Sequence, residues 1–256
     1  MTRHRAIAAL LAAVALVSCD KDAVQDITGT PPGANIKFFH FGVGAPGVNF
    51  YADDTKVTAI NSTTKVESTT GTTYGGVGAG GFYSALAPDQ YSFTGRIAAA
   101  TDKDLPIATV STTLEQGKSY SFYLSGFYNT TAKSVDAFVL EDAYPAEIDW
   151  SQAYVRFVHA ISNANPLTLY AKLQTTGVET ALGAAVAYKQ GGNFTALPAG
   201  VYDLGARYTG VATNAISRTA VSFVAGRVYT IGARGDITVT SSTATNRPFL
   251  DNTANR

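Results

Sequence analysis

Two paired histidines, one cysteine and a scatter of carboxylates are the residues of this chain that could do chemistry, and their spacing decides how much. His40 and His159 hold the same place in two similar runs, "ANIKFFHF" at 34–41 and "AYVRFVHA" at 153–160. Imidazole titrates near neutral pH and could act as a base or bind a metal. A zinc site, however, needs three or four ligands. The remaining histidine is His4, at the N-terminal end, and no second His or Cys falls within either half. Serines are plentiful, but no G-x-S-x-G turn presents one as a nucleophile. The acids of "YADD" (Asp53, Asp54) and "LEDA" (Glu141, Asp142) could be counted as a glycosidase pair. Their places at strand ends and turns predict ordinary solvated carboxylates instead. "GVGAGG" at 76–81 formally satisfies G-x-G-x-x-G. A phosphate cradle needs a helix after it, and "FYSALAPDQY" follows, so the segment reads as a flexible loop. Arg234-Gly235-Asp236 spells a cell-attachment tripeptide, at what reads as a strand end. No catalytic residue, metal or cofactor is expected.

The elements that carry these residues are strands. Alternate residues of a strand share a face, which puts His40 with Ile36 and Phe38, and His159 with Val155 and Phe157. Both histidines are therefore expected on an inner face, bonded to backbone. Lys37 and Arg156 point the other way, outward at the rim, beside Phe39 and Val158. Short aromatic runs separated by Gly, Pro, Asn or Asp recur along the chain, with turns such as "LAPDQY", "LPAGVY", "LEQGKSY" and "FVAGRVY" between them. The β-α alternation of a parallel sheet is absent.

The two histidine runs are parts of a longer repeat. Ile36–His40 matches Val155–His159 at an offset of 119, and "VNFYA" (48–52) matches "LTLYA" (167–171) at the same offset. "FYSALAPDQYSFTGR" then aligns with "NFTALPAGVYDLGAR" at 111, and "VSTTLEQGKSYSFYLSG" with "AVSFVAGRVYTIGARG" at 109. The offset falls only between blocks, as loop deletions would cause. The expected architecture is all-β: two tandem immunoglobulin-like β-sandwiches, at 34–144 and 153–252, with a linker at 145–152.

Bulk composition excludes some functions. Lys plus Arg and Asp plus Glu number 19 each, so no net basicity is available to hold nucleic acid. Hydrophobic residues make up 46%, too many for a disordered chain. Eight tyrosines (Tyr51, Tyr74, Tyr83, Tyr123, Tyr128, Tyr170, Tyr188 and Tyr208) are candidates for an exposed platform that stacks sugars. The competing expectation is that they pack between sheets or between copies.

The N-terminus reads "MTRHR", then the apolar "AIAALLAAVALV", then "SC". That is the layout of an export signal, with an apolar run too short for a permanent membrane span. "LVSC" (Leu16–Cys19) resembles the lipobox of bacterial lipoproteins. The resemblance implies a signal peptide at 1–18, cleavage before Cys19, acyl chains on Cys19, and a tether from 19 to 33. Membrane contact would be through those acyl chains, with the folded part at the periplasmic face or cell surface of a Gram-negative envelope. Asp20, directly after the cysteine, implies inner-membrane retention by one sorting rule and resembles a surface-export signal by another.

"VRFVHAISNANPLTLYA", "LPAGVYDL", "AGRVYTI" and "VDAFVLEDAYP" resemble the domain-of-unknown-function 4397 family. Its members occur as tandem domains in exported bacterial proteins, often lipoproteins. The first copy departs from the family pattern with "FHFGVGAPGVNFY", and Asn49 and Thr168 stand where the family usually has Asp. The functional expectation is a non-enzymatic cell-envelope lipoprotein acting as a binding or structural module for an envelope protein. The alternative is a surface carbohydrate-binding protein that uses exposed aromatics.

Overall fold

The short aromatic runs close into ladders because their period of two puts one face of each run in a core. The computed structural model describes residues 33–58, 64 and 69–255. The expected signal segment, Cys19 and the expected tether up to Pro32 lie outside the described residues. The first copy runs β1 (Ala34–His40), β2 (Val48–Ala52), β3 (Thr55–Lys56), β4 (Ser84–Leu86), β5 (Gln90–Ile97), β6 (Pro106–Thr113), β7 (Ser119–Asn129) and β8 (Ser134–Glu141). The second runs β9 (Gln152–His159), β10 (Leu167–Leu173), β11 (Glu179–Ala181), β12 (Gln190–Gly191), β13 (Thr195–Pro198), β14 (Gly200–Tyr208), β15 (Ile216–Phe223), β16 (Val228–Arg234) and β17 (Phe249–Ala254).

Each copy is a sandwich of two sheets. In the first, β4-β1-β7-β8 faces β3-β2-β5-β6; in the second, β12-β9-β16-β17 faces β11-β10-β14-β15, with β13 also pairing β9. The opening strand of each copy lies parallel to its penultimate strand, β1 beside β7 and β9 beside β16. All other strand pairs are antiparallel. Ile36, Phe38, Phe50, Phe93 and Phe122 fill the first core; Val155, Phe157, Leu169, Leu204 and Ile231 fill the second.

The turns expected from sequence are held by matching tyrosines. Tyr91 donates its hydroxyl to the Ala87 carbonyl at 3.0 Å, and Tyr202 to Pro198 at 2.7 Å. The Tyr120 and Tyr229 hydroxyls each accept from the backbone five residues back, Glu115 and Val224, at 3.1 Å. The glycine loop differs from expectation: it is pinned to β1. Val77 bridges Phe39, the His40 amide donates to Gly76, and Gly75 donates to His40. Its counterpart in the second copy pairs as β12 with Val158 and His159. The unpaired edge of an opening strand needs donors and acceptors, and this loop supplies them.

The two copies do not stand apart on a linker. Gly33–Arg256 is one compact unit, and a third apolar cluster joins the copies: Phe39, Phe41, Tyr123 and Phe138 from the first, Val158 and Ala160 from the second. Large rings on one side meet small residues on the other. Gly232 occupies the place that Tyr123 has in the first copy, and a Cβ there would lie 2.8 Å from the Phe41 ring.

Candidate functional site

The strand faces are as expected for the histidines. His40 and His159 are both fully buried. Carbonyls only accept, so His40 Nε2 donates to Pro46 at 2.9 Å and His159 Nε2 to Asn165 at 3.2 Å. His159 Nδ1 accepts from the Ile161 amide, which fixes the tautomer. Burial holds both imidazoles below the usual histidine pKa, so both are neutral at neutral pH. Their role is to tie the loop after each opening strand to the core. Among the described residues no group of three or more His, Cys, Asp or Glu is placed to hold a metal.

Lys37 and Arg156 contradict the expected exposure. They point away from their own cores, but that face is covered by the other copy, leaving Lys37 1% and Arg156 3% exposed. Asp142, expected as a solvated acid, is 2% exposed beside them. Arg156 forms an ion pair with Asp142, donates Nη1 to the Glu141 carbonyl at 2.9 Å, and donates Nε to Thr230 at 3.0 Å. The Asp142 carboxylate also accepts from Ser121, at 2.8 and 3.0 Å, and from Tyr83 at 2.5 Å. Tyr144 donates in turn to Tyr83. Partners this complete offset the cost of burying the Arg156 and Asp142 charges.

Lys37 lies in the mirrored place. Its Nζ donates to the Ala254 carbonyl at 3.1 Å and sits 4.4 Å from the centre of the Tyr83 ring. Glu141 pairs with Tyr120 and Ala254 with Tyr229, which are equivalent positions. Each copy's opening strand therefore sends a cation to the backbone at the end of the other copy's last strand. This is the reciprocity of a two-fold contact, here within one chain. The residues after those carbonyls differ: Asp142 in one copy, Asn255 in the other, the latter donating to Thr230 at 2.8 Å. Without a carboxylate of its own, Lys37 is controlled by burial, which lowers its pKa to about 8, with Asp142 acting in the opposite direction. For Arg156 burial is the largest effect and disfavours the charge, but Asp142, together with Tyr123 and Tyr83, acts the other way and the pKa is raised.

The eight tyrosines pack instead of forming a platform. Tyr123 is fully buried between the copies, Tyr74 meets Arg234 at 4.8 Å, and Tyr188 bonds Ser125 at 2.9 Å. Tyr51 lies under Arg96 and Tyr170 under Arg207, each at 4.3 Å. Tyr128 joins the first core and Tyr208 the second, while Tyr83 serves Asp142. The strongly exposed rings are others, Phe82 and Trp150, each 76% exposed. Arg234 of the cell-attachment tripeptide is tied to Asp251, so the tripeptide is not displayed on a free turn. Asp54 pairs with Arg96 at the surface, and Glu141 with Lys118.

The model of the family described as "Domain of unknown function (DUF4397)" matches residues 34–170 and again 153–256. The chain belongs to this family. The two matches correspond to the two sandwiches, overlapping at β9 and the start of β10. No curated protein matches the chain. Among solved structures, the Bacillus anthracis TIE protein is 14% identical, at a TM-score of 0.25, over 80% of this chain. The chain spans about a third of that protein, 34%.

One signal for the missed cluster was present in the sequence. A cation stands at the same position of both opening strands, on a face otherwise lined by Phe39 and Val158. A solvated rim has no need of those apolar neighbours, whereas a face shared between copies does.

Proposed function

We propose that this family member is a non-enzymatic, lipid-anchored module of the cell envelope, exported through its N-terminal segment and held by acyl chains on Cys19. The observation that carries this reading is the single cysteine at the end of a signal-like segment, fourteen residues before Gly33, where the folded unit begins. The titratable groups that looked chemical in sequence support a non-catalytic role: His40, His159 and Asp142 are each spent on structural partners. No helix among the described residues is long and apolar enough to cross a membrane. The paired sandwiches then act as one compact unit that presents loops to an envelope partner.

Cys19→Ser tests the reading directly. The variant is expected to leave the membrane fraction and to lack an acylated N-terminus. An unchanged membrane fraction in both proteins, with no acyl group on the wild type, would overturn it.

A further inference from the structure

The copies also differ where their last two strands are joined. Residues 130–133 connect β7 to β8, whereas 235–248 connect β16 to β17. Irregular connections longer than about 12 residues are uncommon and usually functional. This one is built, with Gly235 opening it at φ 112° where a Cβ would lie 2.3 Å from the Arg247 carbonyl oxygen. Asp236 then accepts from Asn163 and from Thr238, each at 2.7 Å.

Beside this loop three guanidinium groups gather on one ring. Arg218, Arg234 and Arg247 lie 5.2, 5.3 and 4.8 Å from the centre of Phe249. The nearby carboxylate of Asp251 is taken by Arg234. Arg218 donates to the Leu250 carbonyl at 2.6 Å, and among the described residues neither it nor Arg247 has an ion-pair partner. The excess positive charge would be neutralised by an anion. Two open clefts, of about 220 and 340 Å³, meet here and share Ser242 and Arg247. Arg234, Thr243 and Thr245 line the smaller; Ser217, Thr240 and Ser241 line the larger. The result is one groove with Arg247 at its middle, Ser and Thr residues along both arms, and Ile216, Ile237, Val239 and Pro248 also lining the larger arm.

We propose that this groove binds an anionic polysaccharide, seating carboxylate or sulfate groups on Arg247 and sugar hydroxyls on the Ser and Thr side chains. A guanidinium fork matches a planar oxyanion with two parallel hydrogen bonds. Hydroxyls both donate and accept, as a sugar requires. A groove with two arms fits a chain better than a single small ion. Its position also suits an outward-facing ligand site: Arg234 packs on Tyr74 and Gly75, level with His40, at the end of β1 remote from Gly33. The proposal rests on the binding-module reading and names its ligand class.

Calorimetric titration of the full chain tests it, with oligogalacturonate as the carboxylate probe, dextran sulfate as the sulfate probe, and neutral dextran and inorganic phosphate beside them. At least one acidic polymer is expected to bind, more weakly as salt rises, while neutral dextran does not. Arg247→Ala should weaken binding about tenfold or more, the loss of one charged pair. Arg247→Lys, which keeps charge but not the fork, should fall between, and Arg227→Ala, at the tether end, should change nothing. Thermal melts check that each variant folds. The proposal is overturned if neither acidic polymer binds, if Arg227→Ala weakens binding as much as Arg247→Ala, or if phosphate binds as tightly as the polymers. A chain that binds no polymer yet leaves the membrane on Cys19→Ser refutes the groove and leaves the envelope reading standing.

Discussion

Lys37 and Arg156 occupy one position of a duplicated strand, face the same way, and each reaches a backbone carbonyl of the opposite copy. Only one of them has a carboxylate at the next residue. Arg156 uses three nitrogens on Asp142, Glu141 and Thr230, so its burial is compensated in full. Lys37 makes one hydrogen bond, lies against a tyrosine face, and loses much of its preference for the charged form. A two-fold contact made from one sequence repeated needs no such inequality. The chain keeps one strong half and one weak half, which ties the copies together with a single fully satisfied charge network instead of two.

The largest test of this asymmetry is the acid itself. Asp142→Ala leaves Arg156 buried without its partner and should cost about 3–5 kcal/mol, read as a lowered denaturation midpoint. Asn255→Ala, at the equivalent position, removes one neutral hydrogen bond and should cost about 1 kcal/mol. Equal costs would erase the distinction between the halves.

A second test acts on shape. Gly232→Val pushes into the Phe41 ring and should cost about 1–3 kcal/mol. Phe41→Leu in the same chain should recover part of that loss, since the two sites touch. No recovery would show that the strain lies elsewhere.

The smallest effect has the opposite sign. Lys37→Met removes a weakly compensated charge and should stabilise the protein by about 1–2 kcal/mol at pH 7. Unfolded Lys37 keeps its proton up to about 10.5, but folded Lys37 only to about 8. Wild-type stability therefore rises as pH climbs between those values, and the advantage of Met shrinks across the same window. Denaturant melts at pH 7 and pH 10 check both points.

Much of the fold was legible because it was written twice. The offsets between "IKFFH" and "VRFVH" and between the later blocks marked the copies, and strand alternation placed the histidines inward. Alternation also gave the outward direction of Lys37, Arg156, Phe39 and Val158. It could not say that another sheet covers that face, since a period of two specifies a side and not its neighbour. The same gap explains Asp142, read as an ordinary strand-end acid, and the tyrosines, whose number suggested a surface while the contact between copies consumed several of them. The arginine cluster was illegible for another reason: Arg218, Arg234 and Arg247 come from β15, β16 and the loop after β16, and the ring of Phe249 brings them together.

The parallel pairing of β1 with β7 has a mechanical consequence. A pull applied at Gly33 and opposed at the far end of β1 runs along the strand. Six paired positions of that ladder, Asn35–His40 against Ser119–Leu124, are then loaded together in shear instead of being peeled apart one by one. The second copy repeats the parallel ladder with β9 on β16.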